Sequence, residues 1–159
     1  MIGLYSSYPC PPQFIMKAYD LAKVLREGKV GIIGGFQSSL EKDLLDILLR
    51  GETQVIICLA RSQESYRVPV KLREGFASGR LRIIAPELRL DQSRITLETV
   101  AKRDALILQL CSRLIVVYAR PGGKVEKLCL RGLEEGKVVQ AIDDQANRHL
   151  FERGVIPIS

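Results

Sequence analysis

Two short segments combine a glycine pair with residues suited to anions. Gly34-Gly35-Phe36-Gln37-Ser38-Ser39 follows an apolar run and opens onto a helical pattern whose first turn carries Glu41. Arg120-Pro121-Gly122-Gly123-Lys124 follows another apolar run and precedes another helical pattern, with a cation on each side. Glycine lets a ligand approach the backbone, and the free amides and dipole of a helix start favour phosphate. A Gly-Gly turn followed by serine is equally what an ordinary strand-to-helix connection with an N-cap looks like, so for the first segment alone both readings stand. Neither segment reads G-x-G-x-x-G, which leaves a dinucleotide site without support. Two such turns from separate parts of the chain are expected to converge on one anion.

Other residues join this set by position. Ser6-Ser7 ends the first apolar run and leads into the stiff segment Pro9-Cys10-Pro11-Pro12. Arg103, within Lys102-Arg103-Asp104, could reach a phosphate with its bidentate fork, although an exposed charge cluster is the ordinary reading. Arg61 follows the third apolar run and is similar. The expected ligand-binding residues are therefore Ser6, Ser7, Gly34, Gly35, Ser38, Arg61, Arg103, Gly122, Gly123 and Lys124. Tyr5, Tyr8, Phe36 and Tyr66 are the loop aromatics that could stack on a base, and each could equally be a packing residue. Cys10, Cys58, Cys111 and Cys129 show no paired spacing and read as small buried side chains, so no metal site is expected. The sole histidine, His149, has no nucleophile-and-carboxylate pattern around it, and no catalytic residue and no cofactor are assigned.

Hydrophobic periodicity supplies the elements that must hold these turns. Apolar runs over residues 2–5, 30–33, 54–59, 81–85, 114–119 and 138–142 are near strand length, and six strands are expected. Helical spacing of Phe14, Ala18, Leu21, Ala22 and Leu25, with Gly28 at the stop, predicts the first crossover. Further helices are expected over 39–50, 70–77, 97–111, 125–135 and 145–153. Loops are expected over 61–69 and 87–94, where the pattern weakens. Strands alternating with helices imply a doubly wound, mostly parallel Rossmann-like α/β sheet with helices on both faces. In such sheets ligands sit outside the carboxyl ends of the strands, where the four segments above fall.

Composition sets the outer limits. The 159 residues suffice for one sizeable core, so one domain over 1–159 is expected. Apolar residues make up 47% and charged residues 26%, an ordinary globular balance. No apolar run approaches the ~20 residues of a membrane-spanning helix. No secretory signal is evident at the amino terminus, and a cytoplasmic location without a membrane partner is expected. The net charge of +6 favours anionic partners, though basic runs are more often solvated faces.

Taken in order, these segments resemble the Rossmann domain of the DNA-processing A (DprA/Smf) family, within the superfamily that includes the LOG phosphoribohydrolases. The resemblance covers nearly the whole chain: residues 2–7, Gly34-Gly35, Lys102-Arg103-Asp104, the run 114–118, Gly122-Gly123-Lys124, the run 138–142 and Asn147-x-x-Leu150 follow the family's order. Asp104 replaces an amide, Gly122-Gly123-Lys124 replaces Ser-Gly-Ser, and no arginine follows Ser6-Ser7. The resemblance implies a nucleotide or single-stranded DNA as partner, with a homo-oligomer as an open option. The LOG branch implies a different function, cleavage of a nucleoside monophosphate. Its Pro-Gly-Gly-x-Gly-Thr-x-x-Glu motif reads Pro121-Gly122-Gly123-Lys124-Val125-Glu126-Lys127-Leu128-Cys129 here, with cysteine where the glutamate belongs, which argues against catalysis.

Overall fold

The computed structural model describes residues 1–89 and 91–159, so Leu90, inside the loop expected over 87–94, lies outside the described residues. One sheet runs through the chain: β1 (Ile2–Tyr5), β2 (Ile32–Gly34), β3 (Val55–Cys58), β4 (Leu81–Ile84), β5 (Arg113–Val116), β6 (Val138–Ile142) and β7 (Ile156–Ile158). Their order is β4-β3-β2-β1-β5-β6-β7, and each recorded pairing is parallel. The helices are α1 (Gln13–Arg26), α2 (Ser39–Leu48), α3 (Arg73–Ala77), α4 (Leu97–Leu110), α5 (Lys124–Glu134) and α6 (Arg148–Phe151).

Buried strands alternate their side chains between two faces, and each face has its own core. Ile115 and Val117 join Phe14, Ala18 and Ala22 of α1 and Leu44, Leu45 and Leu48 of α2. Leu114 and Val116 join Ile107 and Leu108 of α4, Leu128 and Cys129 of α5, and Leu150 of α6. This two-sided burial confirms the doubly wound architecture. Cys58, Cys111 and Cys129 are buried as expected, Cys10 is half-buried, and none of the four is paired. Among the described residues no helix is long and apolar enough to cross a membrane.

The departures from expectation have local causes. A seventh strand, β7, replaces the expected count of six. It has three residues, includes Pro157 and leaves Ile156 half-exposed, so neither its length nor its pattern marks a strand. Proline is tolerated there because β7 is an edge. Residues 117–119, expected in the fifth strand, leave it to form the turn, although Val117 N still donates to Tyr5 O. The helices expected over 70–77 and 145–153 each begin as a 3-10 turn, Val70–Leu72 and Gln145–Asn147. The second of these carries Asn147, whose side chain turns inward to Val117 O and Ile142 O at the ends of β5 and β6.

β1 is where the winding reverses, since the chain steps from it to β2 on one side and later returns to β5 on the other. That switch point opens a crevice at the carboxyl ends of β1, β2 and β5.

Candidate functional site

The crevice is a cavity of about 760 Å³ lined by residues 5–8 at the end of β1, by Gln37, Ser38, Ser39 and Glu41 at the start of α2, by Val100, Arg103 and Asp104 of α4, and by the segment 120–125 with Lys127 and Leu128. Of the residues expected from sequence, it gathers Ser6, Ser7, Ser38, Arg103, Gly122, Gly123 and Lys124. Gly34, Gly35 and Arg61 stand elsewhere. Gly34 belongs to β2, paired in register with Ile57. Gly35 and Arg61 line a separate cavity of about 340 Å³ beyond β2, where the Arg61 guanidinium lies over the Tyr66 ring at 5.2 Å. Phe36, a non-glycine residue at φ 50°, is buried in the core and lines the smaller cavity.

The amides that face the cavity from the β2 turn are therefore those of Gln37 and Ser38, not those of the glycines. They are already engaged. Gln37 N and Ser38 N donate to Glu41 Oε2 at 3.0 and 3.3 Å, and Ser6 N donates to Glu41 Oε1 at 3.1 Å. Ser38 Oγ accepts from Glu41 N, which completes a capping box on α2. Burial pushes the Glu41 carboxyl above its ordinary value, while the three amides and the Arg103 guanidinium pull the other way.

Arg103 reaches the cavity from α4 and is almost fully buried. Its Nε and Nη2 both lie 3.0 Å from Asp104 Oδ1, which also accepts from Tyr5 Oη at 3.1 Å. The guanidinium rests flat on Gly35, where a Cβ would come 2.7 Å from Nη1 and 2.9 Å from Cζ. Glycine at position 35 is thus required by close approach, not by a turn. Burial first, then Asp104, holds the Tyr5 hydroxyl well above its usual range.

The β5 turn is built differently. Asn147 is fully buried; its Nδ2 donates to Val117 O and Ile142 O at 2.9 Å, and its Oδ1 accepts from Ala119 N at 3.2 Å. Ser7 Oγ accepts from Arg120 N at 2.9 Å and Ser7 N donates to Tyr118 O at 2.8 Å, tying the turn to β1. Gly122 turns the chain at φ +71°, a left-handed conformation that favours glycine, and its amide donates to Glu126 Oε2 at 2.6 Å. His149 Nε2 lies 3.6 Å from the other oxygen of Glu126. α5 then starts at Gly123 with no side-chain cap. Its opening amides look toward a rim carrying Arg120, Lys124 and Lys127, none of which forms an ion pair among the described residues.

Sequence reasoning passed over three contributors. Arg120 was visible as the cation before Pro121-Gly122-Gly123, and Lys127 as the residue one turn after Lys124. Glu41 carried only its first-turn position as a signal; its bond to Ser6, 35 residues away, had none. Of the candidate stacking residues, Tyr5 and Phe36 are buried and Tyr66 lies in the smaller cavity, while Tyr8 stands 73% exposed at the main rim. Cys129, where the LOG motif has glutamate, is buried and its thiol is pushed up to about 12.

No protein-family model matches the sequence, and none of the curated proteins does. Solved structures do match. The DNA processing protein A of Streptococcus pneumoniae superposes with a TM-score of 0.79 at 17% identity, covering 99% of this chain and 57% of that one. The DNA processing protein A of Helicobacter pylori, described with its single-stranded DNA binding mode, gives 0.78 at 13%, covering 99% and 74%. The molybdenum cofactor binding protein of Rippkaea orientalis gives 0.67 at 17%, covering 99% and 88%. The chain thus spans 57% of the length of the pneumococcal protein, and at these identities the likeness is one of fold. It is the Rossmann-like fold shared by DNA processing protein A and the molybdenum cofactor carriers.

Proposed function

We propose that residues 1–159 act as one binding domain whose main cavity takes a phosphate-bearing ligand, a nucleotide or a stretch of single-stranded DNA, with the phosphate on the start of α5. The observation that carries this reading is the uncapped N-terminus at Gly123, flanked by Arg120, Lys124 and Lys127 without ion-pair partners. Unsatisfied amides, the helix dipole and mobile cations act together on an anion there. Arg103 adds a guanidinium already oriented by Asp104, and Tyr8 adds an exposed ring for a base. The single-stranded DNA binding described for the Helicobacter pylori neighbour supports the choice of polymer.

A salt titration of oligonucleotide binding tests this. Each phosphate contact contributes roughly 0.7 to the logarithmic salt slope for a single strand. Lys124→Ala is expected to reduce the slope by about that amount with the melting temperature unchanged, because its side chain is exposed. No binding by folded wild type at low salt refutes strand recognition. Binding of the molybdenum cofactor in its place moves the reading to the other group of structural neighbours, and release of free base from adenosine monophosphate replaces binding by catalysis.

A further inference from the structure

We propose that Glu41 is the chain's own occupant of a second anion-binding nest, at the ends of β1 and β2, and that it determines the site's specificity by confining phosphate to the α5 end of the cavity. The proposal rests on the phosphate reading above and adds to it a direction for the ligand.

Capping alone does not account for Glu41. A capping box needs its carboxylate to reach back to the N-cap amide, which the bond from Ser38 N provides. Here both oxygens are used: Oε2 also accepts from Gln37 N, and Oε1 accepts from Ser6 N at the end of a different strand. Three amides from two loops converge on one carboxylate, as they would on a phosphate oxygen. The group is buried yet lines the cavity, beside the Arg103 guanidinium. An incoming phosphate at this end meets a fixed negative charge, and the amides of Ser6, Gln37 and Ser38 are already taken. Asp104 reinforces the bias, since its Oδ2 has no hydrogen-bond partner among the described residues while its Oδ1 accepts from Tyr5 Oη and Arg103 Nε and pairs with Arg103 Nη2. A carboxylate accepts hydrogen bonds and donates none, so this end suits the hydroxyl or amino groups of a ligand. The α5 end, with its open amides and three cations, is left for the phosphate.

The test uses amide shifts in two-dimensional NMR of the full chain titrated with inorganic phosphate. In wild type, shifts are expected at Lys124, Val125 and Glu126, since the Gly123 amide already donates to Arg120 O at 2.9 Å, and not at Ser6, Gln37 or Ser38. In Glu41→Ala the vacated nest should bind phosphate, with new shifts at Ser6, Gln37 and Ser38. Lys124→Ala should weaken phosphate binding about tenfold, and adding Glu41→Ala should recover most of that loss through the second nest. Should Glu41→Ala fail to fold, Glu41→Ser, whose short side chain also vacates the nest, is expected to show the same new shifts. Phosphate shifts at Ser6, Gln37 and Ser38 in wild type overturn the proposal, as does their absence from every folded Glu41 variant. Wild type without shifts at 124–126 sinks the phosphate reading instead, while the variants still decide whether Glu41 fills an anion nest.

Discussion

The two glycine turns have similar sequences and opposite states. The β2 turn is closed by its own side chains: Ser38 caps α2, and Glu41 gathers the amides of Ser6, Gln37 and Ser38. The β5 turn is held from behind by neutral groups, Asn147 and Ser7, and presents an uncapped helix start to the cavity. The difference teaches that a Gly-Gly turn before a helix reports backbone approach, whereas the residue three places into the helix decides whether the amides stay free. The β5 turn keeps its own glutamate, Glu126, on the Gly122 amide and beside His149, and so leaves the amides of Lys124 and Val125 open.

The largest effect expected from breaking this contrast is at Asn147. Asn147→Ala strands Ala119 N, Val117 O and Ile142 O in a buried site, each at a cost of about 1–3 kcal/mol when no water replaces the partner. A loss of at least about 3 kcal/mol in a denaturant melt is expected, with the β5 turn released and phosphate binding lost with it. A loss under about 1 kcal/mol would mean that water takes over the clamp and that Ser7 suffices to hold the turn.

Gly35→Ala comes next. The new Cβ overlaps the Arg103 guanidinium, which is not a free side-chain end because Asp104 holds it on one side and the fold buries it. About 2 kcal/mol is expected, typical of overpacking a filled site. The variant also separates the two turns: ligand binding that depends on Arg103 weakens, whereas amide shifts caused by phosphate at Lys124 persist.

A smaller effect is expected at Ser38. Ser38→Ala removes the acceptor for Glu41 N and costs about 1 kcal/mol, the usual value of a serine N-cap. No equivalent loss is available at Gly123, which has no side chain to remove. A Ser38→Ala variant as stable as wild type would show that Glu41 alone closes the β2 turn.

The sheet was legible because buried parallel strands are short apolar runs, as at 55–58 and 138–142, and because α1 and α2 carry clean helical spacing. β7 was not, since an edge strand of three residues with a proline has no periodicity to read. The site was legible as far as single segments go. Gly122, Gly123, Lys124, Ser6, Ser7 and Ser38 line one cavity because the parallel strands they follow end on the same side of the sheet, and Arg103 joins them from within α4. Gly34 and Gly35 do not line that cavity because glycine served a different need there, room for the Phe36 ring and the Arg103 guanidinium. Contacts across long separations, such as Glu41 with Ser6 and Asn147 with Ala119, leave no mark on local pattern.

The smallest expected effect is a pH dependence, and it sharpens the comparison most. Burial raises the Glu41 carboxyl above its ordinary value of 4.5 in the folded chain, so the folded state binds that proton more tightly than the unfolded one. Its charge therefore costs stability above the folded value, and the cost fades as pH falls through that value toward 4.5. Asp144 has the opposite sign: the Ala146 amide and Lys17 hold it below its ordinary value of 3.8, and its stabilisation is lost only as pH falls through the lower, folded value. The two windows do not overlap. Melting temperatures of wild type and Glu41→Gln, measured from neutral pH down to about 4.5, should show wild type gaining on the variant as pH falls, since glutamine does not titrate. A gap that moves the other way would put the folded value of Glu41 below 4.5. The three amides and Arg103 would then outweigh burial, and the β2 turn would be an anion receptor strong enough to hold its own carboxylate at a profit in stability.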